Sequence, residues 1–239
     1  MRTHRFYTPI ELNENSFIEL SPDAAHHCTQ VLRYKVGDHL NVFNGDGFDY
    51  SASIKTIEKK RCTIKISSKI DPENESPLKI NLVQGIARGD KMDLIIQKAV
   101  ELGVAEITPL FTERCNVKLD GKRLEKKLSH WNKTIISACE QSGRAIIPKL
   151  NAALSIDHLS ESNIDSIYLE PTSEKRFADL TVSNAVRLLI GPEGGFSQND
   201  LAHLHSIGCN GANIGKRILR TETAGLASIV ILQTCFGDI

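Results

Sequence analysis

Two stretches of this sequence hold residues whose types and spacing suit chemistry. LLIGPEGGFSQNDL (188–201) leaves an apolar run through one proline and three glycines, with Glu193 among them. Gly191, Gly194 and Gly195 let a backbone approach a flat ligand and take positive φ, while Pro192 stiffens the turn. Ser197, with Asp200 three positions on, reads as a capping box that starts a helix, so N–H groups point out of the loop. NIGKRILRTETAG (213–225) sets Lys216, Arg217 and Arg220 beside apolar Ile214, Ile218 and Leu219, which could flank an aromatic ring. Thr221 stands where it could N-cap the last helix. Each stretch alone also suits a plainer reading, a glycine turn that ends a strand and a basic surface loop. Neither G-x-x-x-x-G-K-[ST] nor an early G-x-G-x-x-G is present, which counts against ATP hydrolysis and dinucleotide binding.

These loops need elements to position them. Up to residue 70 the pattern is short alternating runs, NSFIEL, DHLNVFNG, FDYSASIKTIE and RCTIKISSKI, which read as strands of a small β-barrel or sandwich with a hairpin turn at 44–47. SPDAAHHCTQVLR (21–33) interrupts them with a helix-start signal. DPENESPL (71–78), acidic and with two prolines, reads as a linker between a domain at 1–70 and another at 79–239. Beyond it, strands expected at 79–87, 105–113, 166–171, 185–193 and 211–215 alternate with helices at 91–103, 121–143 and 221–237. This is the texture of an α/β domain with a parallel sheet. Ligands gather at the carboxyl ends of such strands. Three loops leave strand ends there: Leu169-Glu170-Pro171, Gly191–Gly195 and Gly215–Thr221.

With 239 residues, 41% of them hydrophobic and 24% charged, the composition is that of a globular protein. The formal net charge is zero, so any nucleic-acid contact must come from basic residues gathered locally. The six cysteines lie far apart, with no C-x-x-C pair, and suit reduced thiols in a cytoplasmic protein. The N-terminal stretch lacks an apolar core for a signal peptide, and no run is long enough for a membrane span. His26-His27-Cys28 has no further ligand cluster nearby, so no metal is expected.

IGPEGGFS and IGKRILRTETA, together with QGIARGDKMDLIIQKAVELGV (84–104), TERC (112–115), EQSGR (140–144), RFY (5–7) and HHCTQVLRYKVGD (26–38), closely resemble the bacterial 16S ribosomal RNA uridine-N3 methyltransferases of the SPOUT superfamily. The resemblance runs through nearly the whole chain. It implies a PUA-like β-barrel followed by a parallel-sheet α/β domain tied in a deep trefoil knot. It also implies S-adenosylmethionine as cofactor and a homodimer as the working form.

On that reading Leu169, Glu170, Ile190, Gly191, Pro192, Glu193, Gly194 and Gly195 hold the cofactor, with Ile214, Gly215, Ile218, Leu219 and Thr221 completing the pocket. Uridine N3 carries a proton that must leave for the ring to attack well. Arg220 is the first candidate to stabilise the developing uracil anion, and Glu222 then Glu193 are the candidate bases. Glu193 could instead fix its loop by accepting backbone N–H bonds. RNA contacts are expected from Arg2, Arg5, Arg33, Lys35, Arg88, Lys91 and Arg144, each of which could equally be an ordinary surface charge. The substrate is expected to be small-subunit ribosomal RNA or the assembled subunit. Two other readings stay open: a knotted methyltransferase of transfer RNA, and a PUA-type RNA-binding or assembly factor without activity.

Overall fold

The structure, a computed structural model, describes residues 4–59, 61–117 and 119–239. The chain forms two compact units, Met1–Glu75 with Cys139–Ile147, and Ser76–Ala138 with Pro148–Ile239.

In the N-terminal unit the alternating runs become β2 (Phe17–Glu19), β3 (His39–Phe43), β4 (Asp49–Glu58) and β5 (Arg61–Ile70), and the short RFY stretch adds β1 (Arg5–Tyr7). Their order in the sheet is β1-β3-β4-β5-β2, with β1 parallel to β3 and the other pairs antiparallel. The two-residue period sends Leu40, Val42, Ile54, Ile64 and Ile66 into one core with Phe6 and Ile18, and leaves alternate residues such as His39, Lys55 and Ser67 exposed. Asn44-Gly45-Asp46-Gly47 does join β3 to β4. The Asn44 and Asp46 side chains there accept the N–H groups of Asp46 and Phe48, as Asx turns do.

The helix expected over 21–33 takes a different form. After α1 (Pro22–His26), capped by the Ser21 hydroxyl, the turns widen to a π-helix over His27–Val31. The Thr29 hydroxyl donates to the Ala25 carbonyl, a competing bond that loosens and bends a helix. Arg33 then takes a left-handed φ of 57°.

The second unit contains β6 (Lys79–Gly85), α2 (Lys91–Glu101), β7 (Glu106–Phe111) and most of α3 (Gly121–Ser142). It continues with β8 (Lys149–Leu150), β9 (Leu154–Ser155), β10 (Asp165–Leu169) and β11 (Ala185–Ile190), then α4 (Gln198–Ser206), β12 (Asn210–Ala212) and α5 (Thr221–Phe236). The strand order is β12-β10-β11-β6-β7-β8, with β9 also on β7, and the pairings are parallel. Parallel strands covered on both faces read as unbroken apolar runs, and Val186–Ile190 of β11 are all buried. Met92, Ile95, Ile96, Ala99 and Val100 recur at helical spacing and bury one face of α2, which packs against α5. Leu94 of α2 and Val230 of α5 stay exposed. The strand expected over 211–215 stops at Ala212, and Asn213 forms only an isolated bridge to Arg176.

Register fixes where the loops emerge. Leu169 lies opposite Ala212, Tyr168 opposite Leu189, Ile190 opposite Gln84, and Gly85 opposite Leu110. The loops after β6, β7, β10 and β11 therefore leave along one edge, outside the carboxyl ends where open α/β sheets bind ligands. Among the described residues, no helix is long and apolar enough to cross a membrane.

Candidate functional site

A cavity of about 360 Å³ opens at that edge, within the range of small-molecule sites. Leu169, Ile190, Pro192, Phe196, Leu219 and Ala224 give it apolar walls, and the backbone of Gly191–Gly195 gives it polar groups. The loop that carries those groups is held from four sides. Gly85 at the end of β6 packs directly under it, since a Cβ there would meet the Pro192 Cδ at 2.6 Å. The Thr221 hydroxyl donates to the Gly191 carbonyl at 2.6 Å and accepts from the buried Gln84 Nε2 at 3.0 Å. Arg114 donates to the Gly194 carbonyl at 3.1 Å. The Glu193 Oε1 accepts the Arg88 N–H at 3.0 Å.

The TERC stretch proves to be a brace. Glu113 accepts bonds from Ser197 and Asn199, and its own N–H reaches Asp200, which ties the loop after β7 to the start of α4. The Ser197 and Asn199 bonds hold the Glu113 carboxyl below its usual range. Ser197 and Asp200 form the expected capping box.

Charge gathers beside the cavity. The Lys91 Nζ stands 3.4 Å from the Glu193 Oε1 and 3.5 Å from the Glu222 Oε2, bridging one carboxylate from the glycine loop and one from the first turn of α5. The Glu222 contact is an ion pair too long to hydrogen-bond, and its Oε2 is buried without a hydrogen-bond partner. Burial pushes the Glu193 carboxyl up, but the Arg88 N–H, its own N–H and Lys91 outweigh burial and hold it below the usual carboxylate range.

Leu169, Glu170, Ile190, Gly191–Gly195, Ile218, Leu219 and Thr221 all line the cavity. Ile214 and Gly215 do not. The Gly215 N–H is turned to the Asn213 side chain, whose amide is bonded to the Ser173 and Lys175 carbonyls. Glu170 bends back on its own loop, accepting both the N–H and the hydroxyl of Thr172. Thr221 is not the N-cap of α5. That position falls to Arg220, which makes no side-chain cap bond, because the Thr221 hydroxyl is drawn to Gly191. The Arg220 side chain is exposed and has no ion-pair or hydrogen-bond partner among the described residues. Pro171 belongs to one of the three expected loops, whereas sequence reasoning gave no site role to Arg114, Phe196, Ala224 or Gln84, although each lies in a motif singled out above, TERC, IGPEGGFS, IGKRILRTETA and QGIARGD.

The basic residues separate into two kinds. Arg5 is nearly enclosed, its side chain 9% exposed, and binds Asp49 at 2.6 Å and the Cys139 and Arg144 carbonyls. Arg144 is 5% exposed and paired with Glu75. Both expectations of an RNA contact are corrected here: a buried guanidinium must be paired, and each of these is. Arg33, Lys35 and Arg88 are exposed, Lys91 is committed to its two carboxylates, and Arg2 lies outside the described residues.

Comparison with known proteins matches residues 74–233 to an RNA methyltransferase domain family and residues 20–67 to an RNA methyltransferase PUA domain. The chain is 38% identical to the ribosomal RNA small subunit methyltransferase E of Buchnera aphidicola from Acyrthosiphon pisum, covering 98% of this chain and 94% of that protein. It is 27% identical to the Bacillus subtilis protein of the same name, over 93% and 91% of the two chains. A Legionella pneumophila methyltransferase solved in complex with the cofactor SAM shares 41% identity at a TM-score of 0.96, each chain covered completely. The Neisseria gonorrhoeae ribosomal RNA small subunit methyltransferase E bound to S-adenosyl methionine shares 36% identity at a TM-score of 0.92, also complete on both sides.

Proposed function

From the premise that this chain belongs to the ribosomal RNA small subunit methyltransferase E family, we propose that it methylates N3 of one uridine in small-subunit ribosomal RNA, with S-adenosylmethionine as methyl donor. The observation that carries this reading is the cavity itself, apolar on its walls and lined by bare glycine backbone, with exposed Arg220 standing in the chain between the lining residues Leu219 and Thr221.

The residues present fit the cofactor. Gly194 faces Arg114, whose Cβ would stand 3.0 Å from any Cβ added there, and Gly195 takes a φ of 66°, so side chains are excluded where a flat adenosine would lie on the loop. Leu169, Ile190 and Leu219 would cover its apolar faces. When bound, S-adenosylmethionine supplies a methyl group made electrophilic by its sulfonium. The chain's own task is to orient uracil and to handle the N3 proton.

Arg220 is placed to favour the uracil anion, since its guanidinium has no competing carboxylate and lies next to the cavity residue Thr221. Glu193 is a poor base here, because its basicity is lowered and its oxygen is spent on the Arg88 N–H. Glu222 keeps one oxygen free of hydrogen bonds and is the better proton acceptor of the two. N3 lies on the pairing edge, so the target uridine must be unpaired or flipped out before transfer.

The same reading assigns the N-terminal domain, residues 1–70, to holding RNA through Arg33 and Lys35. It keeps the trefoil knot in the domain over 79–239, and it places the enzyme in the cytoplasm, where ribosomal RNA is matured. It also takes a homodimer as the working form, supported by Ile218, 86% exposed, and by Leu94 and Val230, which a second copy would cover.

The test is methyl transfer from labelled S-adenosylmethionine to small subunits lacking the modification, with the product nucleoside identified by mass spectrometry. N3-methyluridine at one site is expected. Another methylated nucleoside would overturn the uracil-N3 assignment, and transfer to transfer RNA alone would overturn the substrate.

A further inference from the structure

The N-terminal unit has a cavity of its own, about 580 Å³, lined by Pro22, His26, Thr29, Gln30 and Lys59. None of these residues has a part in the chemistry above. We propose that this cavity receives one nucleotide of the substrate RNA, with Lys59 on its phosphate and His26 and Gln30 on its base or ribose. The proposal rests on the ribosomal RNA reading and adds to it a contact made by the N-terminal unit.

Three independent features point to a ligand. The first is chemistry: Lys59, His26, Gln30 and Thr29 line one concavity beside Pro22, with the Thr29 hydroxyl donating to the Ala25 carbonyl and accepting from the Gln30 amide. Phosphate asks for the cation, and a base edge asks for groups that both donate and accept.

The second is the backbone of Lys59. It directly follows β4, on the way to β5, and takes a φ of 44°. Such positions favour asparagine or glycine, because left-handed φ crowds a Cβ against the backbone. A lysine at that position forgoes stability, and strain kept in a native structure points to a use for the side chain.

The third is the π-helical turn over His27–Val31. His26, Thr29 and Gln30, at i, i+3 and i+4, share one helical face, and the π turn over His27–Val31 carries that face on beyond the end of α1, so that all three line the cavity. Single π turns recur at functional sites. Exposed Arg33 and Lys35, which follow directly, extend the cationic surface along the chain.

The experiment uses the full-length protein labelled with 13C and 15N, titrated with each of the four nucleoside 5′-monophosphates. Saturable shifts of the His26 ring and the Gln30 side-chain amide are expected with at least one of them, and no shift with any overturns the proposal. In parallel, Lys59→Gly should be at least as resistant to thermal unfolding as the parent, since glycine relieves the left-handed φ. Lys59→Gly combined with Gln30→Ala should weaken binding to protein-free small-subunit ribosomal RNA about tenfold and reduce the salt dependence by about 0.7 in log–log slope, one single-strand phosphate contact. Cofactor affinity should not change. RNA affinity within twofold of the parent overturns the proposal. So does weakened binding confined to the assembled subunit, which would make the occupant a ribosomal protein. Failure of the parent protein to bind S-adenosylmethionine or transfer methyl would instead sink the functional reading, while the nucleotide titration would still decide this one.

Discussion

The loop Gly191–Gly195 and the loop Gly215–Arg220 border the same cavity, yet they are built in opposite ways. The first is fastened by Thr221, Arg114 and Arg88 and pressed onto Gly85, so its carbonyls and N–H groups hold one arrangement. The second is tied at its start through Asn213, and then presents Lys216, Arg217, Ile218 and Arg220 to solvent. A cofactor site needs groups fixed before the ligand arrives, because ordering them afterwards costs affinity. A surface that meets a large RNA needs reach and uncommitted charge instead. The two loops divide these tasks.

The sharpest break in that contrast is Gly85→Val. The added atoms must displace Pro192, so cofactor affinity measured by calorimetry should fall more than about hundredfold, with a stability loss of about 1–3 kcal/mol in denaturant unfolding. Affinity near the parent's would show that the fastening is irrelevant to the site.

Next comes Arg220→Ala on the open loop. It should lower kcat about 10²–10³-fold, the usual loss for one donor to a developing anion, while cofactor affinity stays within a few-fold. A loss of affinity with kcat retained would move Arg220 to the fastened side of the comparison.

Thr221→Val probes the joint between the loops. It strands the Gly191 carbonyl and removes one acceptor from the Gln84 amide, which keeps its bond to the Gly85 carbonyl, at a cost of about 1–3 kcal/mol in stability. A chain as stable as the parent would mean that water or a shifted Gln84 replaces the hydroxyl.

The smallest effect belongs to Glu193→Gln, read against pH. The folded protein holds the Glu193 carboxyl below its ordinary value, so the ionised form stabilises the fold above the unfolded pKa, about 4.3, and that contribution is lost as pH falls through the lower folded value. The parent should therefore be the more stable at pH 7, with the difference shrinking as pH drops below about 4. A gap that stays constant down to pH 2 would show that ionisation of Glu193 is not what fixes its loop.

Much of this was legible from local pattern. The parallel strands announced themselves as apolar runs, α2 as a helical stripe, and the start of α4 as Ser197 and Asp200. The GPEGG glycines marked the cavity because bare backbone has few other uses in that position. Other features were not legible. Arg5 and Arg144 look like any basic residue near a motif, and nothing local reveals that Asp49 and Glu75, distant in sequence, enclose them. Thr221 satisfied every local rule for an N-cap and was taken instead by a carbonyl from another loop.

The sequence by itself determined most of the long strands and helices, and which residues could do chemistry, since these follow from periodicity, glycine placement and side-chain type over a few neighbouring positions. Only the tertiary structure decided which charges are free. Whether Lys91 meets RNA or bridges Glu193 and Glu222, and whether Arg220 stands alone, depends on loops that the sheet register brings to one edge from positions more than a hundred residues apart. Electrostatic partners are set by distance in space, and a buried charge must find one wherever the fold supplies it.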